Sequence, residues 1–410
     1  VTSTDAADSA APGPAALALT ADDLTPAWLS GALGRPVRAA RAVAIGTGQI
    51  GTVYRVFLEG DGVPGSILAK LPASDPVARA MLAGAYRREL LFYTRLTGTV
   101  AVRAPHCYYA RGRGDCAEFT LLLEDMAPAR QGDQLAGCDV TEAEAAVRNL
   151  AALHAPRWCD PALLDEDGLS PATTEEADML AEYYGPALDT FLDRIGDRLD
   201  PADAATLRGC VDTSAAWLLA RPERFALVHG DYRLDNLLFS TGCRPTGVGG
   251  SSPLGSADGR GDQQPPSLPG AELEEGRGSI PLIPAMRSEE PEAGPVIVTA
   301  VDWQTLGLAL PARDLAFFIG TSMEPEQRGR HERHLVEQYH RALCSRGVTG
   351  YTLEHSWQDY VFALPQGPLI AVFGAAFGTS TPRGDEMFAA MTRRSCAAIR
   401  ELSALGAEPA

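Results

Sequence analysis

The chain has 410 residues, 45% of them hydrophobic and 21% charged, and carries a formal net charge of −18; it is long enough for two domains or one large two-lobed unit. The acidic balance argues against sequence-independent nucleic-acid binding, which relies on a basic face to neutralise phosphates. Eight cysteines are scattered without a C-x-x-C pair, so neither zinc spacing nor a disulfide framework is supported, and reduced thiols in a cytoplasmic protein are expected.

Taken in chain order, residues 1–21 carry early aspartates and no basic n-region, so a flexible tail is expected rather than a signal peptide. Residues 22–34 read as a short capped helix. VRAARAVAIGTGQIGTVYRVFLEG then alternates around a glycine cluster, predicting two strands joined by a glycine turn, and SILAKLP predicts a third strand. Residues 76–96 have helical spacing, with Leu82, Tyr86, Leu90 and Tyr93 on one face. HCYYARG and EFTLLLEDM are further strands. From residue 141 onward five stretches have helical patterns, and two short strands, within 225–240 and 296–304, lie among them. Residues 241–294 are rich in Gly, Pro, Ser and acid without periodicity, predicting a disordered insertion in the turn of a hairpin. No apolar run approaches 18 residues, so no membrane span is expected.

Five pieces of this chain carry chemistry. Gly46, Gly48 and Gly51 form a G-x-G-x-x-G, a pattern that both dinucleotide and kinase folds use to bring backbone close to phosphates. A dinucleotide fingerprint opens a helix after its glycines, whereas TVYRVFLEG continues as a strand, as in a phosphate-covering flap. Lys70, one strand later, is the only lysine in the chain. In a sequence that otherwise writes arginine, it marks a place that needs a compact ammonium rather than a planar fork. Glu89, in the following helix, is the acidic partner such a lysine requires.

LVHGDYRLDNLLF contains His229, Gly230, Asp231, Arg233 and Asn236. A carboxylate five residues before an amide allows Asp231 to face an acceptor hydroxyl while Asn236 reaches a metal, and Arg233 is spaced to neutralise a transferring phosphoryl group. Asp302, at the end of a strand, completes the series as a Mg²⁺ ligand candidate. His331 and His334 share helical spacing but lack a third zinc ligand, and read as a solvated helix face.

The order of glycine flap, Lys70, Glu89, H-G-D-x-x-x-x-N and strand-Asp302, together with LLLEDMAPARQGDQ, LAALHAPRW and PARDLAFF, resembles the aminoglycoside phosphotransferase and choline kinase-like superfamily. The closer likeness is to its ecdysteroid kinase-like branch and bacterial relatives. The resemblance implies an α+β, bilobal, protein-kinase-like fold, with an antiparallel N-lobe (22–127) and a mainly helical C-lobe (128–410). It also implies transfer of the γ-phosphate of ATP to a hydroxyl of a small molecule, antibiotic or metabolite, with Mg²⁺. Asp231 would be the catalytic base, Asn236 and Asp302 the metal ligands, and Lys70 with Glu89 the phosphate pair. The connecting segment from Glu124 to Met126 would meet the nucleotide base, and Asp314 would brace the catalytic loop. Arg233 and Asp235 depart from the antibiotic kinases' H-P-G residues, so antibiotic specificity does not carry over. A catalytically silent nucleotide-binding module is the competing expectation.

Overall fold

The protein is described here by a computed structural model covering residues 16–45, 51–241 and 294–406. Helix α1 (Pro26–Leu33) begins where Thr25 accepts a hydrogen bond from the Trp28 N–H, and ends at Gly34, whose φ of 64° is the left-handed stop that glycine permits. The preceding residues are not a free tail as far as residue 21. From Ala16 onward they are packed: the Ala16 carbonyl accepts from the Trp28 indole, and that of fully buried Ala18 accepts from Thr120.

Five antiparallel strands follow, β1 (Ala39–Ala44), β2 (Thr52–Glu59), β3 (Ser66–Leu71), β4 (Cys107–Arg113) and β5 (Glu118–Glu124), in the order β1-β2-β3-β5-β4. Lys70 therefore lies on the central strand, opposite Val53 on one side and Leu121 on the other. The period-2 alternation of β3 buries Ile67, Ala69 and Leu71 in a small core with Leu29, Val56, Leu58 and Leu122. That alternation turns Lys70 to the opposite face, where helix α2 (Pro76–Leu91) crosses. Asp75 caps α2 by accepting from the Ala78 N–H, and Pro76 opens it. The helix runs on as a π turn over Phe92–Leu96.

The rest is mainly helical: a short β6 (Arg130–Gln131), then α3 (Val140–His154), α4 (Thr174–Ile195), α5 (Pro201–Leu219), β7 (Ala226–Val228) and β8 (Leu237–Thr241). After the insertion come β9 (Val296–Ala300), β10 (Gly307–Ala309), α6 (Ala312–Ser322), α7 (Pro325–Ser345), α8 (Leu353–Ala363), α9 (Gln366–Phe377) and α10 (Pro382–Glu401). β8 and β9 are neighbours in one sheet with β6, and β7 pairs with β10. The loop after β7 and the loop after β9 thus emerge side by side. The expected insertion in the β8–β9 connection lies, apart from its edges, outside the described residues.

One stretch bears on the expectation that no membrane span is present. Among the described residues the stretch Leu353–Phe377 has the length and mean hydropathy, 1.5, of a membrane-crossing helix. It is built as two helices, α8 and α9, with Leu364 and Pro365 between them, and 56% of its most apolar window is buried inside the protein. Tyr360, Phe362, Leu364, Ala371, Val372 and Ala375 of this stretch belong to the protein's core. Phe92 and Trp303, both fully buried, stack with centroids 3.6 Å apart and planes at 6°, joining the end of α2 to the loop after β9. Such a pair is worth about 0.5–1.5 kcal/mol beyond the area it buries.

Candidate active site

The site is assembled from four chain segments. Lys70 Nζ donates to Glu89 Oε1 at 2.6 Å and to Asp302 Oδ1 at 2.9 Å. Burial alone would lower the Lys70 pKa, but the Asp302 and Glu89 carboxylates outweigh it and hold the ammonium above its ordinary value. The Asp302 carboxyl is held below its usual range, because Lys70 overcomes the upward pull of burial. Glu89 is more deeply buried and ends up raised, with Lys70 offsetting only part of the desolvation. It also accepts from the Trp303 N–H, tying α2 to the segment that carries Asp302. Asp302 has φ 71°, a left-handed backbone that Asp tolerates better than most residues. Its second oxygen accepts from Gln304 Nε2 at 3.0 Å.

The catalytic-loop candidates are held from behind. Asp314, in the first turn of α6, accepts from the N–H groups of His229 at 2.6 Å and Gly230 at 2.9 Å. His229 donates from Nε2 to the Val301 carbonyl at 3.0 Å, and its Nδ1 accepts from the Asp231 N–H at 3.3 Å. A carbonyl only accepts, so Nε2 carries a ring hydrogen, and Nδ1 faces the Asp231 N–H. Both ring nitrogens are engaged by backbone, which is the geometry of an orienting residue. Gly230 has φ 80°, and a Cβ there would stand 2.4 Å from the Thr305 carbonyl oxygen, so the position accepts only glycine.

Asp231 and Asn236 meet as their spacing predicts. The Asn236 amide nitrogen donates to the Asp231 carbonyl at 2.9 Å and to its Oδ2 at 3.0 Å, leaving the amide oxygen as the free acceptor end of the side chain. Arg233 Nη1 reaches both Asp231 oxygens, at 2.9 and 2.7 Å. Burial raises the Asp231 carboxyl above its ordinary value, with Arg233 pulling the other way. The Val301 N–H donates to the Asn236 carbonyl at 3.0 Å, so the segment leading to Asp302 is stitched to the loop carrying Asn236.

Of the glycine motif, Gly46 and Gly48 lie outside the described residues. Gly51 has φ 132° and stands so close to β3 that a Cβ would be 2.9 Å from the Leu71 carbonyl oxygen. In the connecting segment Glu124 uses its side chain to accept from the His106 N–H at 3.1 Å, and Met126 is half-buried. The residue that fastens this segment is the neighbour between them. Asp125 accepts from Ser66 Oγ at 2.7 Å and from the Ala127 N–H at 3.2 Å, and forms an ion pair with Arg55 at 2.7 Å.

Two further contributors were not legible in the sequence. Fully buried Gln134 accepts from the Leu234 N–H at 2.8 Å through Oε1 and donates from Nε2 to the Thr321 carbonyl at 2.8 Å. Its backbone N–H donates to Asp235 Oδ1 at 3.0 Å. Arg383, from the start of α10, pairs with Asp235 and Asp133.

Comparison with known proteins decides the family. The sequence profile of the phosphotransferase enzyme family matches residues 41–248, half of the chain. The chain belongs to that family. The profile of the ecdysteroid kinase-like family matches residues 285–346, in keeping with the branch that the motifs pointed to. No curated protein matches the chain. Among solved structures, the choline kinase of Cryptosporidium parvum Iowa II shares the fold, with a TM-score of 0.53 and 10% identity over 90% of this chain and 92% of that one. A microcompartment-associated aminopropanol kinase is also similar, with a TM-score of 0.47 and 15% identity over 90% and 95% of the two chains. The phosphotransferase-family chain thus has the kinase-like α+β fold, its antiparallel sheet preceding a helical C-terminal part.

Proposed function

We propose that this phosphotransferase-family protein transfers the γ-phosphate of ATP to a hydroxyl of a small molecule, in a reaction that requires Mg²⁺. The observation that carries the reading is the convergence of Lys70–Glu89, Asp302 and Asp231–Asn236 on one place from four distant segments. Among the described residues no cluster of three or more His, Cys, Asp or Glu side chains is gathered to hold a metal. That sparseness suits Mg²⁺, which keeps its waters and binds through one or two carboxylates plus substrate phosphates. The Asp302 carboxylate and the Asn236 amide oxygen are the chain's oxygens for it, and the ion would neutralise charge on the phosphates.

Lys70, a mobile point charge between two carboxylates, is suited to exchange Asp302 for the nucleotide's phosphate oxygens while Glu89 keeps hold of it. Asp231 is suited to take the proton of the acceptor hydroxyl as that oxygen bonds to phosphorus and the bond from phosphorus to the bridging oxygen of the leaving ADP breaks. For that, one Asp231 oxygen must be released by Arg233. Arg233 holds the carboxylate with a single nitrogen, and its Nε–H is buried without a hydrogen-bond partner. An unsatisfied buried donor on a cation beside the base favours a role in receiving the phosphoryl oxygens.

The test is Mg²⁺-dependent ADP release against aminoglycosides, macrolides, nucleoside antibiotics, choline, sterols and hydroxyacyl thioesters, with Asp231→Asn as control. Turnover of one class, abolished in the variant, supports the reading and names the acceptor. ATP binding without turnover of any class favours the silent module, and absence of ATP binding sinks the kinase reading altogether.

A further inference from the structure

The loop from His229 to Asn236 has two ends, and they are fastened differently. Its entry is held by Asp314, entirely inside the protein. Its exit, at Leu234–Asn236, is held from the outer side through Asp235. The Asp235 carboxylate is held by Gln134 and Arg383: it accepts from the Gln134 N–H at 3.0 Å and from Arg383, at 3.1 Å to each of its two oxygens. The Asp235 backbone carbonyl accepts from Gln131 Nε2 at 2.6 Å.

Arg383 stands out because it comes from far along the chain, in the first turn of α10, and its side chain is still 54% exposed. An isolated surface pair of that exposure contributes little to stability. Here the guanidinium bridges two carboxylates, Asp133 at 3.0 Å and Asp235, and the second is 14% exposed. Without it, the Asp235 carboxylate keeps only the Gln134 N–H. A poorly exposed anion so left turns toward whatever positive charge is near. Besides Arg383, the cation whose charge reaches this carboxylate is Arg233, which holds Asp231, the partner of the Asn236 amide.

We infer that Arg383 is a positioning residue: it keeps the Asp235 carboxylate out of the cleft and thereby keeps Asn236 aimed at the metal. The inference rests on the proposed Mg²⁺-dependent reaction. It assigns a part in metal use to the first turn of α10, which lies outside the residues, 41–248, that the family profile matches.

The experiment compares the full chain with Arg383→Gln, Arg383→Lys, Asp235→Asn and the double variant Arg383→Gln/Asp235→Asn. Calorimetry measures ATP binding with and without Mg²⁺, and thermal unfolding is recorded for each. In Arg383→Gln we expect the Mg²⁺-dependent gain in ATP affinity to shrink about tenfold, while affinity without Mg²⁺ and the unfolding temperature stay near those of the parent. Arg383→Lys should recover part of the gain. The double variant, which removes the freed anion, should recover most of it. A full Mg²⁺ effect in Arg383→Gln overturns the inference. So does a loss that the double variant fails to repair, because that would mark the bridge as merely structural. If the parent chain itself binds no ATP, the functional reading fails instead, and the two failures are told apart.

Discussion

The Lys70 triad and the loop from His229 to Asn236 are both buried clusters of charge, yet they are built on opposite plans. In the triad, charge meets charge across three segments, and both Lys70 contacts are between side-chain ends, with Glu89 also accepting from the Trp303 N–H. In the loop, the decisive contacts are between side chains and backbone: Asp314 with two N–H groups, His229 with Val301, Gln134 with Leu234. The first arrangement can trade partners when phosphates arrive. The second cannot, because an unmade backbone hydrogen bond in the interior costs about 1–3 kcal/mol. The contrast teaches where this protein is adaptable and where it is preorganised.

The sharpest way to break the contrast is Lys70→Arg. The substitution keeps the charge and adds a planar fork, in a chain that already uses arginine everywhere else. If the triad works as an exchangeable point charge, phosphate transfer should drop by about 10²–10³, the range for losing one positioned donor to developing charge. Stability should change little. An enzyme that turns over normally with arginine at this position would remove the reason for the exception.

Asp314→Ala should do the reverse. It leaves the His229 and Gly230 N–H groups buried and unpaired, and destabilises the fold by about 2–5 kcal/mol, read by urea unfolding. Gly230→Ala sharpens the same point more gently. The new methyl must push the Thr305 carbonyl aside from 2.4 Å at a φ of 80°, at a cost of about 1–3 kcal/mol for the strained backbone and its surroundings. If either variant loses activity with no loss of stability, the loop is not the preorganised element described here.

The same contrast explains what the sequence made legible. Motifs whose members are near in sequence fix their own geometry: five residues from Asp231 to Asn236 leave little choice once a turn joins two strands. Lys70 and Glu89 were readable because a strand and the next helix had to present them to each other. Gln134 and Arg383 were not, since they act through contacts spanning 100 and 148 residues that no local pattern encodes. Helices α6, α8 and α9 also escaped. α6 is buried along its whole length and α9 is apolar nearly all round, so neither shows the polar stripe by which a helix is recognised. Strand β10, three residues long, is set by its pairing with β7 rather than by its own composition.

The connecting segment joins the two plans, and it offers the smallest and most specific test. Asp125 receives side-chain and backbone donors together: Ser66, Arg55 and the Ala127 N–H. Burial alone would raise its carboxyl, but these hydrogen bonds and the Arg55 charge more than offset it and hold the carboxyl below 3.8. A carboxyl that is lower when folded than when unfolded binds fewer protons in the native state. Its contribution is therefore fully present above about pH 5 and drains away as the pH falls through 3.8 toward the folded value. Asp125→Asn should cost about 1 kcal/mol at pH 7, because the amide loses the charge and one acceptor oxygen but keeps the other. The difference between parent and variant should narrow steadily below pH 4 in urea unfolding. A gap that stays constant down to pH 3 would mean that Asp125 holds the segment by shape and not by its charge.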